Sequence, residues 1–147
     1  MKENELRPII DLWLQQQGYQ VGHELLLSGY CDVIGFAFDK RTGRRIPSLV
    51  EVIAIELKIN DVAGVIEQAR NNRYFVDKSF AAMPASCCEI MRRGTIRKFK
   101  KNKVGLLAVG DTVEIIVSAV RMQGNHLQCD KEYQKRLQRK LWRVSKR

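Results

Sequence analysis

The stretch Val50-Glu51-Val52-Ile53-Ala54-Ile55-Glu56-Leu57-Lys58 constrains this chain more than any other. It is apolar and rich in β-branched residues, the pattern of a strand made for burial. Yet it ends in a carboxylate and an ammonium two residues apart. Side chains alternate across a strand, so Glu56 and Lys58 share one face while Ile53, Ile55 and Leu57 share the other. Charges at the end of a buried strand need partners, because an unpaired buried charge is expensive.

The preceding segment supplies one. Cys31 to Phe38 forms a strand in which Asp32, Ile34, Phe36 and Phe38 share a face. Asp39 to Arg45 is polar with Gly43 at its centre, which marks a hairpin loop. If the hairpin is centred near Gly43 and Arg44, opposed residues have numbers summing to about 88, give or take two. Asp32 then faces Glu56. Directly opposed side chains have Cβ atoms roughly 5 Å apart, and like charges that close repel unless a proton or cation lies between them. An ion pair of Glu56 with Lys58, leaving Asp32 in solvent, would explain either acid alone. It does not explain both acids and one lysine together, whereas a divalent metal neutralises both. Carboxylate oxygens suit Mg²⁺ or Mn²⁺ better than zinc.

The remaining elements frame this hairpin. Glu3 to Gln17 carries Leu6, Ile9, Ile10, Trp13 and Leu14 at helical spacing, with Asn4 as a cap, Pro8 near the first turn and Gly18 as the stop. Glu5 by itself is a first-turn acid favoured by the helix dipole. Tyr19 to Leu27 is a first strand containing Glu24, and Ser28-Gly29 turns the chain. Asn60 or Asp61 caps a second helix whose apolar face is Val62, Val65, Ile66 and Ala69, with Gln68, Arg70 and Arg73 lying off that face. Ser79 to Met83 is a short strand stopped by Pro84, so the segment has the form of a βαβ crossover. Ala85 to Lys103 is helical, broken at Gly94. From Arg92 to Lys103, the residues Arg92, Arg93, Arg97, Lys98, Lys100, Lys101 and Lys103 occur with no acid, which suits a phosphate-binding edge better than a solvated face. Val104 to Val109 and Thr112 to Val117 form a hairpin around Gly110-Asp111.

From Val120 the composition shifts. Arg121 to Arg147 holds nine Lys and Arg against Asp130 and Glu132, while Tyr133, Leu137, Leu141 and Trp142 recur near helical spacing. This is a basic amphipathic helix that could dock on the core, mediate a dimer or lie on a membrane, and Trp142 favours the first two. The expected organisation is a core domain over 1–119 with a basic helical extension over 120–147. A chain of 147 residues with net charge +10 suits one domain with a polyanionic partner. Nucleic acid is the simplest such partner and an anionic membrane surface the second. Four cysteines without a Cys-x-x-Cys pair read as reduced thiols, and with no spanning run or secretory signal the expected location is cytoplasmic.

Asp32, followed by Glu56-Leu57-Lys58, after an N-terminal helix bearing Glu5, resembles the PD-(D/E)XK nuclease superfamily in its resolvase-like branch. The resemblance covers about residues 3–117. Cys31 stands where the proline of that motif would be. The resemblance implies an α/β, restriction-endonuclease-like core, with a mixed central sheet flanked by helices in αβββαβ order. It implies that Asp32 and Glu56 ligate Mg²⁺ (or Mn²⁺) with the carbonyl of Leu57, and that Lys58 orients water and stabilises phosphate charge. Glu5 matches a helix-borne acid of that branch, with Glu24 and Glu51 as rivals; parity puts Glu51 on the wrong face. Gln68 matches a glutamine facing the site. Arg44, Arg45, Arg70, Arg73, Arg92, Arg93, Arg97, Lys98, Lys100 and Lys101 are the expected nucleic-acid contacts. The implied activity is metal-dependent hydrolysis of phosphodiester bonds, in DNA before RNA. The alternative is a module that grips nucleic acid without cutting it. Cutting both strands of a duplex calls for two active sites, for which a two-fold homodimer is the expected arrangement.

Overall fold

The computed structural model describes residues 1–26, 30–122 and 131–147. The Ser28-Gly29 turn expected from the sequence lies outside them. The elements are α1 (Glu3–Gln16), β1 (Gln20–Leu26), β2 (Tyr30–Asp39), β3 (Ser48–Leu57), α2 (Val62–Asn72), β4 (Lys78–Pro84), α3 (Ala85–Glu89), α4 (Arg93–Lys101), β5 (Gly105–Val109), β6 (Val113–Val117) and α5 (Lys131–Ser145). The strands form one mixed sheet in sequential order. β1, β2 and β3 are antiparallel, β4 and β5 run parallel to β3, and β6 returns antiparallel. Parallel neighbours need crossovers, which α2 and then α3 with α4 provide. The chain is therefore α/β with a six-stranded sheet flanked by helices.

The β2–β3 register follows the turn. Pairs from Val33↔Ile55 to Ala37↔Glu51 have numbers summing to 88. A bulge between Ala37 and Phe38 then shifts the pairing, so Phe38 faces Leu49. The Asp39 side chain accepts from the Arg41 amide and caps a single helical turn over Lys40–Thr42. Gly43 closes the loop at φ 66°, in the left-handed region that glycine tolerates.

Alternation divides the core between the two faces of the sheet. Val33, Ile53, Ile55, Leu57, Phe80, Ala82, Leu107 and Val109 meet Leu6, Ile10 and Leu14 of α1. On the other face, Ala81, Met83, Leu106 and Ala108 meet Val65, Ile66 and Ala69 of α2 and Phe99 of α4. Ile34, Phe36, Val52 and Ala54 meet Leu137 and Leu141 of α5. Trp142 packs edge-on to Phe38 with ring centroids 5.2 Å apart, and Gln138 Nε2 donates to Pro47 O at 2.6 Å. Of the roles open to the basic helix, docking is the one seen. No described helix is long and apolar enough to cross a membrane.

Two helix boundaries differ from the sequence expectation. The break after α3 falls over Ile90 to Arg92, not at Gly94, which lies inside the first turn of α4. A glycine there interrupts little, because first-turn amides lack intrahelical acceptors anyway. Asn4 lies within α1, and the N-cap is Lys2, with no side-chain cap bond. The helix ends are better defined. Gly18 N donates to Gln15 O and Tyr19 N to Leu14 O, the paired bonds of a glycine-terminated helix.

The same two bonds end α4, from Lys103 N to Lys100 O and from Val104 N to Phe99 O, with Val104 and Phe99 both buried. Here, however, the left-handed position is a lysine at φ 59°. Lys103→Gly relieves the Cβ clash at a site where the unfolded-chain entropy of glycine only partly offsets the gain, so we expect stabilisation of about 0.5–1 kcal/mol. Chemical denaturation of the two forms measures it, and an unchanged or lower midpoint contradicts it.

Candidate active site

Glu56 pairs with Ala81 of β4 on one side and, one position beyond Val33↔Ile55, comes beside Asp32 of β2 on the other. It is 3% exposed, the one buried carboxylate among the described residues. The two carboxyls lie within hydrogen-bonding reach of each other. Each also has a donor of its own. Asp32 Oδ2 accepts the Leu57 amide at 2.9 Å, and Glu56 Oε1 accepts Asn72 Nδ2 at 2.9 Å. Asn72 comes from the last turn of α2 and lies 3.8 Å from the buried Cys31 Sγ. Burial, then the hydrogen bond to Asp32, pushes the Glu56 carboxyl up to about 8; the Asn72 amide pulls the other way. Taken alone, the chain therefore keeps a proton on Glu56 near neutral pH.

Lys58 sits one residue beyond β3, and its amide continues the ladder to Ala82 O at 3.1 Å. Its side chain is half-buried. Among the described residues it has no carboxylate partner, so the simple Glu56–Lys58 ion pair does not form. Glu56 is engaged with Asp32 and Asn72 instead.

The other acids go elsewhere. Glu5 is exposed on α1, a helix packed on the opposite sheet face, and no described contact joins it to the pair. Glu51 points away, as parity requires; it accepts the Tyr19 hydroxyl at 2.6 Å and pairs with Arg121 and Lys78. Glu24 is the more informative case. The β1–β2 register places it opposite Asp32, but the ladder steps from His23↔Val33 to Leu25↔Cys31 without it. Its φ of 51° departs from extended backbone inside β1, and its carboxylate pairs with Arg7 of α1 at 3.5 Å. A third acid thus stands in register with the pair and is turned aside by its own backbone.

Gln68 is exposed on α2, whereas Asn72, one turn later on the same side of the helix, makes the contact to Glu56. The amide at the pair therefore comes from the turn after the one the sequence pointed to. Arg73 also departs from expectation. Its guanidinium turns inward, Nη1 to Asn102 O at 3.2 Å and Nη2 to the Met122 sulfur at 2.7 Å, and burial lowers its pKa. It ties α2 to the end of α4. Arg44, Arg45, Arg70, Arg92, Arg93, Arg97, Lys98, Lys100 and Lys101 lie on the surface. α4 carries most of them, and Phe99 anchors it on the same sheet face as Glu56.

The donor set is two touching carboxylates, oxygen only, with the Leu57 carbonyl next in the chain. Among the described residues no group of three or more His, Cys, Asp or Glu side chains is placed to hold a metal. Mg²⁺ does not need one, since it commonly binds through one or two carboxylates and keeps several waters for substrate oxygens to replace. A pair of acids that must otherwise hold a proton fits a divalent cation. No family model, curated protein or solved structure matches the chain.

Proposed function

We propose that this chain is a metal-dependent nuclease of the PD-(D/E)XK type on a restriction-endonuclease-like core, hydrolysing phosphodiester bonds, with DNA the favoured substrate. The observation that carries this reading is the contact between Asp32 and the buried Glu56, on adjoining strands, beside a lysine without an acidic partner among the described residues. Structural ion-pair networks usually balance acids with bases. Here two acids oppose each other while the nearest ammonium in the chain pairs with neither. That is the arrangement expected where cation and substrate complete the charge balance.

In this reading Asp32 and Glu56 hold the ion with the Leu57 carbonyl. When bound, the ion supplies a water of lowered pKa and offsets negative charge on the phosphate. Lys58 donates to a phosphate oxygen or to the attacking water, adding positive charge where the transition state gains negative charge. Arg44 and Arg45 of the hairpin loop, with the α4 cations, hold the flanking backbone of the nucleic acid. The loop bearing Arg44 and Arg45 is itself tethered to basic α5 through Gln138.

Incubation of plasmid, branched and single-stranded DNA with the protein and Mg²⁺ or Mn²⁺ tests the proposal. Cleavage should appear only with metal, stop with EDTA and be lost in Asp32→Ala. Cleavage that survives EDTA or Asp32→Ala would sink it. Tight binding with no cutting under any metal points instead to a non-catalytic binding module on the same fold.

A further inference from the structure

We infer that Asn72 is a positioning residue that sets the affinity of the Asp32–Glu56 pair for a divalent cation. This rests on the metal-dependent reading of the pair and adds a residue to it. A carboxylate enclosed by strands on both sides has little water to orient it, so its direction is decided by its protein donors. The Asn72 amide is the N–H donor that Glu56 has among the described residues, at 2.9 Å on Oε1. That bond fixes one oxygen of the carboxylate that meets Asp32. Asp32 is fixed in the same manner, its Oδ2 held by the Leu57 amide, which leaves Oδ1. Each carboxylate of the touching pair thus has one oxygen held by an N–H donor of the chain.

The support behind Asn72 is rigid. It occupies the last turn of α2, whose buried side holds Val65, Ile66 and Ala69 against the sheet. Ser79 Oγ donates to Ala69 O at 2.6 Å and fixes how closely the helix approaches β4. Cys31 Sγ, 3.8 Å from the Asn72 Nδ2, lines the other side. Outer residues of this kind typically change metal affinity by about 10–100-fold when removed.

Titration of the full chain with Mn²⁺ alone, followed by calorimetry, reads the effect without any need for substrate. Asn72→Ala should weaken Mn²⁺ binding by about 10–100-fold. Asn72→Gln, which keeps the amide, should recover part of the loss, and Gln68→Ala, one exposed turn away, should bind as the wild type does. In cleavage assays Asn72→Ala should need more Mn²⁺ for half-maximal rate but approach the wild-type rate at saturation. A purely structural residue would lower the melting temperature and leave the Mn²⁺ affinity alone. Equal affinity in Asn72→Ala and wild type, or an equal loss in Gln68→Ala, overturns the role of Asn72 alone. No Mn²⁺ uptake by the wild type overturns the metal reading and this role with it.

Discussion

Lys58→Met should slow metal-dependent DNA cleavage about 10²–10³-fold, the range seen when one preorganised donor to a developing negative charge is removed. Methionine keeps the length and apolar body of the side chain and deletes only the ammonium. The fold should tolerate the change, because Lys58 has no carboxylate partner among the described residues and lies just past the end of β3. Its backbone bond to Ala82 O does not depend on the side chain. Stability should therefore change by no more than about 0.5 kcal/mol, as for a surface substitution away from a network. Mn²⁺ affinity should also hold or rise slightly, since a nearby positive charge leaves. This separation identifies the role. Wild-type cleavage by Lys58→Met would remove the lysine from the chemistry. A large drop in melting temperature would mean that it holds the fold.

The frame of this site was legible in the sequence because its determinants are local. A polar loop with a central glycine sets a register, and the register alone brings Asp32 beside Glu56. Alternation also placed Glu51 on the far face without any knowledge of its partners Tyr19 and Arg121. What was not legible depends on how elements lie across one another. Gln68 and Asn72 are four residues apart on one helix face, and periodicity cannot say which turn passes over Glu56. That is decided by the close approach of α2 to β4 at Ala69 and Ser79. Arg73 looked like a surface cation because its acceptors, Asn102 O and the Met122 sulfur, are distant in sequence. Glu24 satisfies the register and still misses the pair, since a left-handed φ on a non-glycine residue leaves no sequence signal.

Glu56→Gln should abolish metal-dependent cleavage and yet make the metal-free protein more stable above neutral pH. The sign follows from where the carboxyl titrates. Its folded pKa of about 8 lies above the ordinary value of 4.5, so the folded state holds the proton more tightly than the unfolded chain does. Below about pH 4.5 both states are protonated and Glu56 contributes no slope. Between pH 4.5 and 8 the unfolded chain ionises first, and stability falls as pH rises. Above pH 8 the loss is complete. A tenfold difference in proton affinity between the two states corresponds to about 1.4 kcal/mol, so the full loss amounts to a few kcal/mol. Glutamine has no proton to lose. Its carbonyl can still accept from Asn72, and its amide can donate toward Asp32, so both neighbours stay satisfied. Unfolding in EDTA across about pH 5 to 9 should therefore slope downward for the wild type until about pH 8 and run nearly flat for the variant. Added Mg²⁺ should restore the wild type at about pH 8, by about 2.7 kcal/mol at a hundredfold excess over its dissociation constant, and leave the variant unchanged. A wild-type profile that is flat over this range, or a variant less stable than wild type at its alkaline end, would mean that Asp32 and Glu56 are a settled structural pair. Loss of stability with pH and its recovery by the ion would mark them as a site built to exchange a proton for a cation.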